Sequence, residues 1–185
     1  KPAMIEVNIS CPHMAYGKPY YADAELTAKV AKEVKKNSGK IPVSIKLSPN
    51  VHDIKEIARA AEKAGADAIT AINTVTGMVI DINAKKPILA NKAGGISGPA
   101  LKPIAIRCVY DIYETVKIPI IGTGGITYGK DAIEMIMAGA TAIGIGTGVY
   151  YRGIDVFKKV CNEMTAWMKK NKVRNLGEIR GIAHK

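Results

Sequence analysis

The chain has a single Phe, a single Trp and only three cysteines, Cys11, Cys108 and Cys161. An odd number of thiols with neither CxxC nor metal-ligand spacing points to free cysteines in a reducing compartment, and no zinc or iron–sulfur site is expected on this chain. So few aromatics cannot stack bases, and the formal net charge of +11 is not gathered into one patch, so no nucleic-acid partner is expected. The lysines recur at helical spacing, as at Lys29, Lys32, Lys35 and Lys36, or cluster late, as at Lys158, Lys159, Lys169, Lys170 and Lys172. They are expected to be solvated helix faces whose excess charge draws anionic ligands or an acidic partner. No uncharged apolar run reaches the ~18 residues of a membrane span, and the start carries no basic-then-apolar signal. A soluble, cytoplasmic protein with no membrane contact is the expectation.

What is present is a core. With 48% hydrophobic residues among 185 and no internal boundary, a single domain over residues 1–185, or a piece of one, is expected. Short β-branched runs at Met4–Val7, Pro42–Ile45, Ala68–Ile72, Ile118–Ile121 and Ala142–Ile145 alternate with amphipathic stretches at Ala22–Lys36, Val51–Ala64, Leu101–Thr115, Lys130–Ala138 and Ile154–Lys170. Nearly all-apolar strands imply burial on both faces, and helical crossovers imply parallel pairing. Gly65 and Gly139 follow helical runs, and Asp53 lies in a first turn. Residues 73–100, rich in Gly and Pro, read as a long irregular connection of the kind that carries function. The basic tail 171–185 is expected to end in a short helix anchored by Leu176 and Ile179. Such βα units fit an open doubly wound sheet or part of a (β/α)₈ barrel, which when complete needs about 250 residues.

In either architecture ligands gather at the carboxyl ends of the strands. The first run leads into Asn8, Ser10 and Cys11; Lys46 closes the second; Asn73 and Thr74 close the third; Gly122-Thr123-Gly124-Gly125 and Gly144-Ile145-Gly146-Thr147 come after the last two. Glycines there let backbone N–H groups approach a phosphate closely, or simply make tight βα turns that need positive φ. Cys11 sits in a loop where no apolar face needs a thiol; with an unperturbed pKa of about 8.5 it suits a base whose rate climbs with pH. Cys108 and Cys161 fall in helical patterns and are read as packing residues. Lys46 interrupts an apolar run, so it needs a partner if buried, and an electron-rich cofactor ring would supply one; otherwise it snorkels to solvent. Asn8 and Asn73 offer a donor and an acceptor each, or cap their loops. A full GxGxxG dinucleotide fingerprint is absent.

The segments Ile5-Glu6-Val7-Asn8-Ile9-Ser10-Cys11-Pro12, Ile45-Lys46-Leu47, Ile72-Asn73-Thr74, Gly94-Gly95-Ile96-Ser97-Gly98-Pro99-Ala100-Leu101-Lys102-Pro103, Ile121-Gly122-Thr123-Gly124-Gly125-Ile126 and Ile145-Gly146-Thr147 resemble the dihydroorotate dehydrogenase family. The likeness is to its class 1 members, and most to subclass 1B. It implies a (β/α)₈ TIM barrel of which this chain supplies about strands four to eight. It also implies FMN, and oxidation of dihydroorotate to orotate in pyrimidine biosynthesis. By the same resemblance Cys11 matches the base that takes the C5 proton while hydride leaves C6, and Asn8, Asn73 and Thr74 match substrate-binding positions. Asn8, Lys46, Ile72, Gly98, Gly124, Gly125, Gly146 and Thr147 match flavin and phosphate contacts. A homo-oligomer is implied, as is a partner electron-transfer subunit that carries FAD and a [2Fe–2S] cluster and reduces NAD. His13 stands where the family usually has asparagine; it keeps a hydrogen-bonding group, changes its reach and titrates near pH 6.5 when unperturbed. Two other readings use the same glycine turns: a phosphate-sugar isomerase or synthase, which needs a carboxylate base at a strand end, and a non-catalytic half-barrel that binds a nucleotide or anion.

Overall fold

The computed structural model describes residues 1–10 and 22–185. Five strands, β1 (Ile5–Asn8), β2 (Val43–Leu47), β3 (Ala68–Ala71), β8 (Ile120–Thr123) and β9 (Ala142–Gly144), pair in parallel in the order β1-β2-β3-β8-β9. The order runs with the chain without a reversal, so the sheet has no switch point. That excludes the doubly wound alternative and leaves consecutive βα units of a barrel.

The helices confirm this winding. α1 (Ala24–Asn37), α2 (Ile54–Lys63), α3 (Lys102–Tyr113), α4 (Gly129–Met137) and α6 (Val156–Lys170) pack each against the next along one face. A doubly wound sheet would place them on both. Asp23 and Asp53 start α1 and α2 by accepting the backbone N–H of Leu26 and Lys55 on their carboxylates. Gly65 and Gly139 lie just past α2 and α4 at φ of 96° and 125°. Two features were not visible in the sequence pattern: a short helix α5 (Gly148–Arg152) ahead of α6, and two 3₁₀ turns, Leu176–Glu178 and Ile182–His184, in place of one tail helix. Ile179 is buried there against α4, as expected of an anchor.

On β1, β2 and β3 only one face is apolar throughout. Val43, Ile45, Leu47, Ile69, Ala71 and Ile120 are buried in the main core with helix residues such as Ile57, Ala61, Ala105 and Val109. The alternate positions, which face away from the helices, carry Glu6, Asn8, Ser44, Lys46 and Thr70. Burial on both faces, as expected, holds for β2 and β3, where Ser44 and Thr70 are 0% and 2% exposed, but the buried side chains on the concave side are polar.

Residues 73–100 are likewise not irregular. They form two nested antiparallel ribbons, β4 (Val75–Gly77) with β7 (Gly94–Ile96) and β5 (Ile80–Asp81) with β6 (Lys86–Pro87). Pairing of Val75 with Ile96 pins the base of this excursion at the strand ends, while Met78, Val79, Ile82 and Ile88 lie exposed toward its tip.

A cysteine expectation also changes. Cys108 is buried in α3, and burial pushes its thiol up to about 11. Cys161, expected to pack, is exposed on α6, because it lies off the helix face that buries Val156 and Val160.

A Cβ at Gly139 would run into the Tyr113 ring, and its φ already disfavours any L side chain. Gly139→Ala is therefore expected to cost about 1–3 kcal/mol. The urea midpoint of the full-length protein should fall at unchanged m; an unmoved midpoint would refute the packing described.

Candidate functional site

Parallel register brings the carboxyl ends of all five strands to one rim. On it lies a cleft of about 150 Å³ lined by Lys46, Ile72, Asn73, Thr74, Gly98, Gly124, Gly125, Gly146 and Thr147. The sequence singled out each of these. Ser97, Leu101, Thr123, Ile126, Thr127, Gly144 and Gly148 complete the wall. Of these, Ser97 and Thr127 add hydroxyls that sequence reasoning passed over, although Ser97 sits inside the quoted Gly-Gly-Ile-Ser-Gly-Pro run. Cys11 and His13 lie outside the described residues.

Hydrogen bonds knit the strand ends together. Asn8 Oδ1 accepts from Asn73 Nδ2 at 3.1 Å and from the Ser10 N–H at 3.1 Å. That leaves the Asn8 amide NH₂ without a partner among the described residues. The Ser10 hydroxyl donates to the Lys46 carbonyl at 2.9 Å, which ties the segment leading to Cys11 onto β2. Asn73 N donates to the Leu47 carbonyl at 2.8 Å, and Asn73 Oδ1 accepts the Thr74 N–H at 2.7 Å. Both asparagines therefore cap loops and face one another across the rim. Across the cleft, Thr147 Oγ1 donates to Ser97 Oγ at 2.8 Å, joining the returning ribbon to the turn after β9.

Lys46 differs from expectation. Its ammonium meets Glu6 Oε1 at 3.2 Å on β1, so its partner comes from the chain itself and not only from a ligand. The signal was present as the one carboxylate inside the first strand, two residues before Asn8.

The turn after β8 is held from behind. Asp131, buried in the first turn of α4, accepts the N–H groups of Thr127 at 3.0 Å and Tyr128 at 2.8 Å, and pairs with Lys102 Nζ at 3.0 Å. Burial pushes its carboxyl up, but the Tyr128 amide, Lys102 and the Thr127 amide together outweigh it, so the group lies below the usual carboxylate range. Arg152 donates to the Thr127 carbonyl at 3.0 Å and pairs with Glu163 at 2.6 Å, while Glu163 accepts the Gly129 N–H at 2.6 Å. Gly125, at φ 74°, lets the turn press on α3: a Cβ there would lie 2.6 Å from Lys102 N.

Among the described residues the lining contains one cation, hydroxyls, an amide and bare glycine backbone, and no carboxylate. Such donors suit an anion. A Cβ built on Gly146 meets nothing within 4 Å, so this turn is open to whatever the cleft holds. Its volume falls short of the roughly 300–1,000 Å³ that encloses a whole ligand.

With that geometry in place, comparison with known proteins is decisive. The family model described as dihydroorotate dehydrogenase matches residues 2–168. The chain belongs to the dihydroorotate dehydrogenase family. A curated relative from Methanocaldococcus jannaschii, the catalytic subunit of dihydroorotate dehydrogenase B (NAD(+)), is 57% identical over 182 residues, covering 98% of this chain and 59% of the relative. The protein of the same name from Methanothermobacter thermautotrophicus is 48% identical over 184 residues, covering 98% of this chain and 60% of the relative. The chain thus spans about three-fifths of the length of these relatives. Among solved structures, the dihydroorotate dehydrogenase of Eimeria tenella in complex with ferulenol superposes with a TM-score of 0.83 at 22% identity, over 99% of this chain and 54% of that one. Its ligand-free form gives the same TM-score of 0.83 at 23% identity, over 99% of this chain and 56% of that one. The fold of this chain is accordingly that of five βα units of a (β/α)₈ barrel. No described helix is long and apolar enough to cross a membrane.

Because Asp131 is held low in the folded state, its contribution to stability is complete above its unfolded value of about 3.9 and is lost as pH falls through the lower native value. Asp131→Asn should lower the urea midpoint at neutral pH and flatten the acid limb below about pH 4. Identical acid limbs in the two proteins would contradict the role assigned to this carboxylate.

Proposed function

We propose that the protein to which this chain belongs oxidises dihydroorotate to orotate with FMN, in pyrimidine biosynthesis in the cytoplasm. The observation that carries this reading is the cleft, without a carboxylate among the described residues, where Lys46 and Asn73, the latter hydrogen-bonded to Asn8, meet the glycine turns after β8 and β9. A phosphate-sugar isomerase would need a carboxylate base at a strand end, and none lines the cleft among the described residues.

In this reading Gly98, Gly124, Gly125, Gly146 and Thr147 hold the cofactor and its phosphate through backbone N–H groups and the threonine hydroxyl, and Lys46, Ile72 and Asn8 border its ring. FMN, when bound, supplies a two-electron acceptor for the hydride on C6. Asn73, Thr74 and the unpartnered Asn8 NH₂ orient dihydroorotate through its polar groups. Cys11, as thiolate, takes the C5 proton, and the C5–C6 double bond of orotate forms. The single-domain reading of residues 1–185 becomes part of one FMN-binding barrel. The relatives are named as catalytic subunits of dihydroorotate dehydrogenase B (NAD(+)), which supports a second subunit. In this reading that subunit carries FAD and a [2Fe–2S] cluster, and the catalytic chain forms a homo-oligomer.

Purified full-length protein should be yellow, absorbing near 450 nm (about, from flavin chemistry); a colourless preparation that takes up no FMN would refute the proposal. Cys11→Ser should keep its flavin yet slow flavin reduction by dihydroorotate roughly 10²–10⁴-fold. Undiminished reduction would remove Cys11 from the role of base.

A further inference from the structure

Across the five parallel strands Glu6 and Lys46 are the only charged residues, and they pair with one another at 3.2 Å. Glu6 is held from its other side. Thr70 Oγ1 donates to Glu6 Oε2 at 2.8 Å, and Ser44 Oγ lies 2.8 Å from Thr70 Oγ1. A threonine hydroxyl has one proton, and here it goes to the carboxylate, so Ser44 is the donor to Thr70. The chain Ser44 to Thr70 to Glu6, met by Lys46, runs across three strands on the concave face. Ser44 and Thr70 are fully buried, at 0% and 2% exposure, so the carboxylate is anchored by groups with no freedom to move with it elsewhere. Glu6 does not reach the cleft wall, whereas Lys46 does.

We propose that Glu6 is a positioning residue that fixes the location of the Lys46 ammonium and offsets its positive field at the cleft. The proposal rests on the FMN reading above and deepens it. A cation beside the cofactor stabilises its reduced, anionic form, and an opposite charge 3.2 Å from that cation offsets part of the effect. The Glu6–Lys46 pair therefore poises the reduction equilibrium of the cofactor, with the threonine and serine hydroxyls fixing the carboxylate's half of it. A purely structural ion pair would change stability and leave that equilibrium alone.

The test is the flavin reduction equilibrium of FMN-loaded full-length protein, read spectroscopically against a reference dye. Glu6→Gln leaves Lys46 uncompensated and should favour the reduced flavin by about tenfold, equivalent to about 30 mV for a two-electron couple. Lys46→Met should shift it the opposite way, and the double variant should match Lys46→Met alone, because Glu6 acts only through the lysine. Glu6→Asp, which keeps the charge but shortens the reach, should move the equilibrium in the same direction as Glu6→Gln by less, and it serves if Glu6→Gln fails to fold. Flavin-loaded variants at Glu6 with the wild-type equilibrium, or effects at Glu6 and Lys46 that simply add, would overturn this proposal alone. A wild type that binds no FMN would overturn the functional reading and this inference with it.

Discussion

Helical crossovers force the strands to run parallel, and the whole arrangement of the rim depends on that direction. A parallel ladder points every carboxyl end the same way. Residues far apart in the chain, such as Lys46 and Gly146, thereby border one cleft. The register is tight enough to be read in single contacts: Asn8 lies opposite Lys46, and Lys46 opposite Thr70. A slip of one residue would turn Lys46 and Asn8 toward the helices, into a layer that now buries Ile45 and Leu47 at 0% and 1% exposure. Burial on the helix side thus fixes which side chains face the ligand.

The opposite face is polar, and it is organised rather than merely tolerated. Ser44 and Thr70 are buried but satisfy one another, Thr70 and Lys46 both reach Glu6, and Asn8 accepts from Asn73 and Ser10. Buried polar groups stabilise a unique arrangement when they are paired, and Ser44 and Thr70 are paired around the two charges of the sheet, while the Asn8 NH₂ has no partner among the described residues. Behind the turn after β8 the same logic recurs, with Asp131 and Glu163 accepting the amides of Thr127, Tyr128 and Gly129. Those amides are committed to holding the turn, which leaves its glycines to face the cleft.

Much of this was legible in the amino-acid order alone. The βα alternation, the parallel sheet and the residues from Lys46 to Thr147 that line the cleft could be located from the apolar runs and the polar or glycine positions at their carboxyl ends. Strand ends were displaced by one or two residues, as at β8, because Ile118 and Pro119 are apolar yet precede the ladder. The ribbons in 73–100 escaped because their strands are two or three residues long, too short for a period to declare itself. α5 was hidden because five residues beside a glycine-rich turn carry no amphipathic repeat. Glu6 was overlooked as a partner for Lys46 since the pairing lies between strands, and only register brings the two charges together. Cys161 was misjudged because its helical position was visible while the side facing solvent was not.

The central claim is that backbone groups on the last two parallel strands grip the phosphate of a flavin nucleotide. It is tested most directly by comparing FMN with riboflavin, which lacks that phosphate, in equilibrium binding to full-length protein stripped of cofactor. The account predicts that FMN binds far more tightly than riboflavin and that Gly146→Glu, which sets a carboxylate at the open turn, abolishes most of the difference. Equal affinity of the unaltered protein for the two ligands would contradict it.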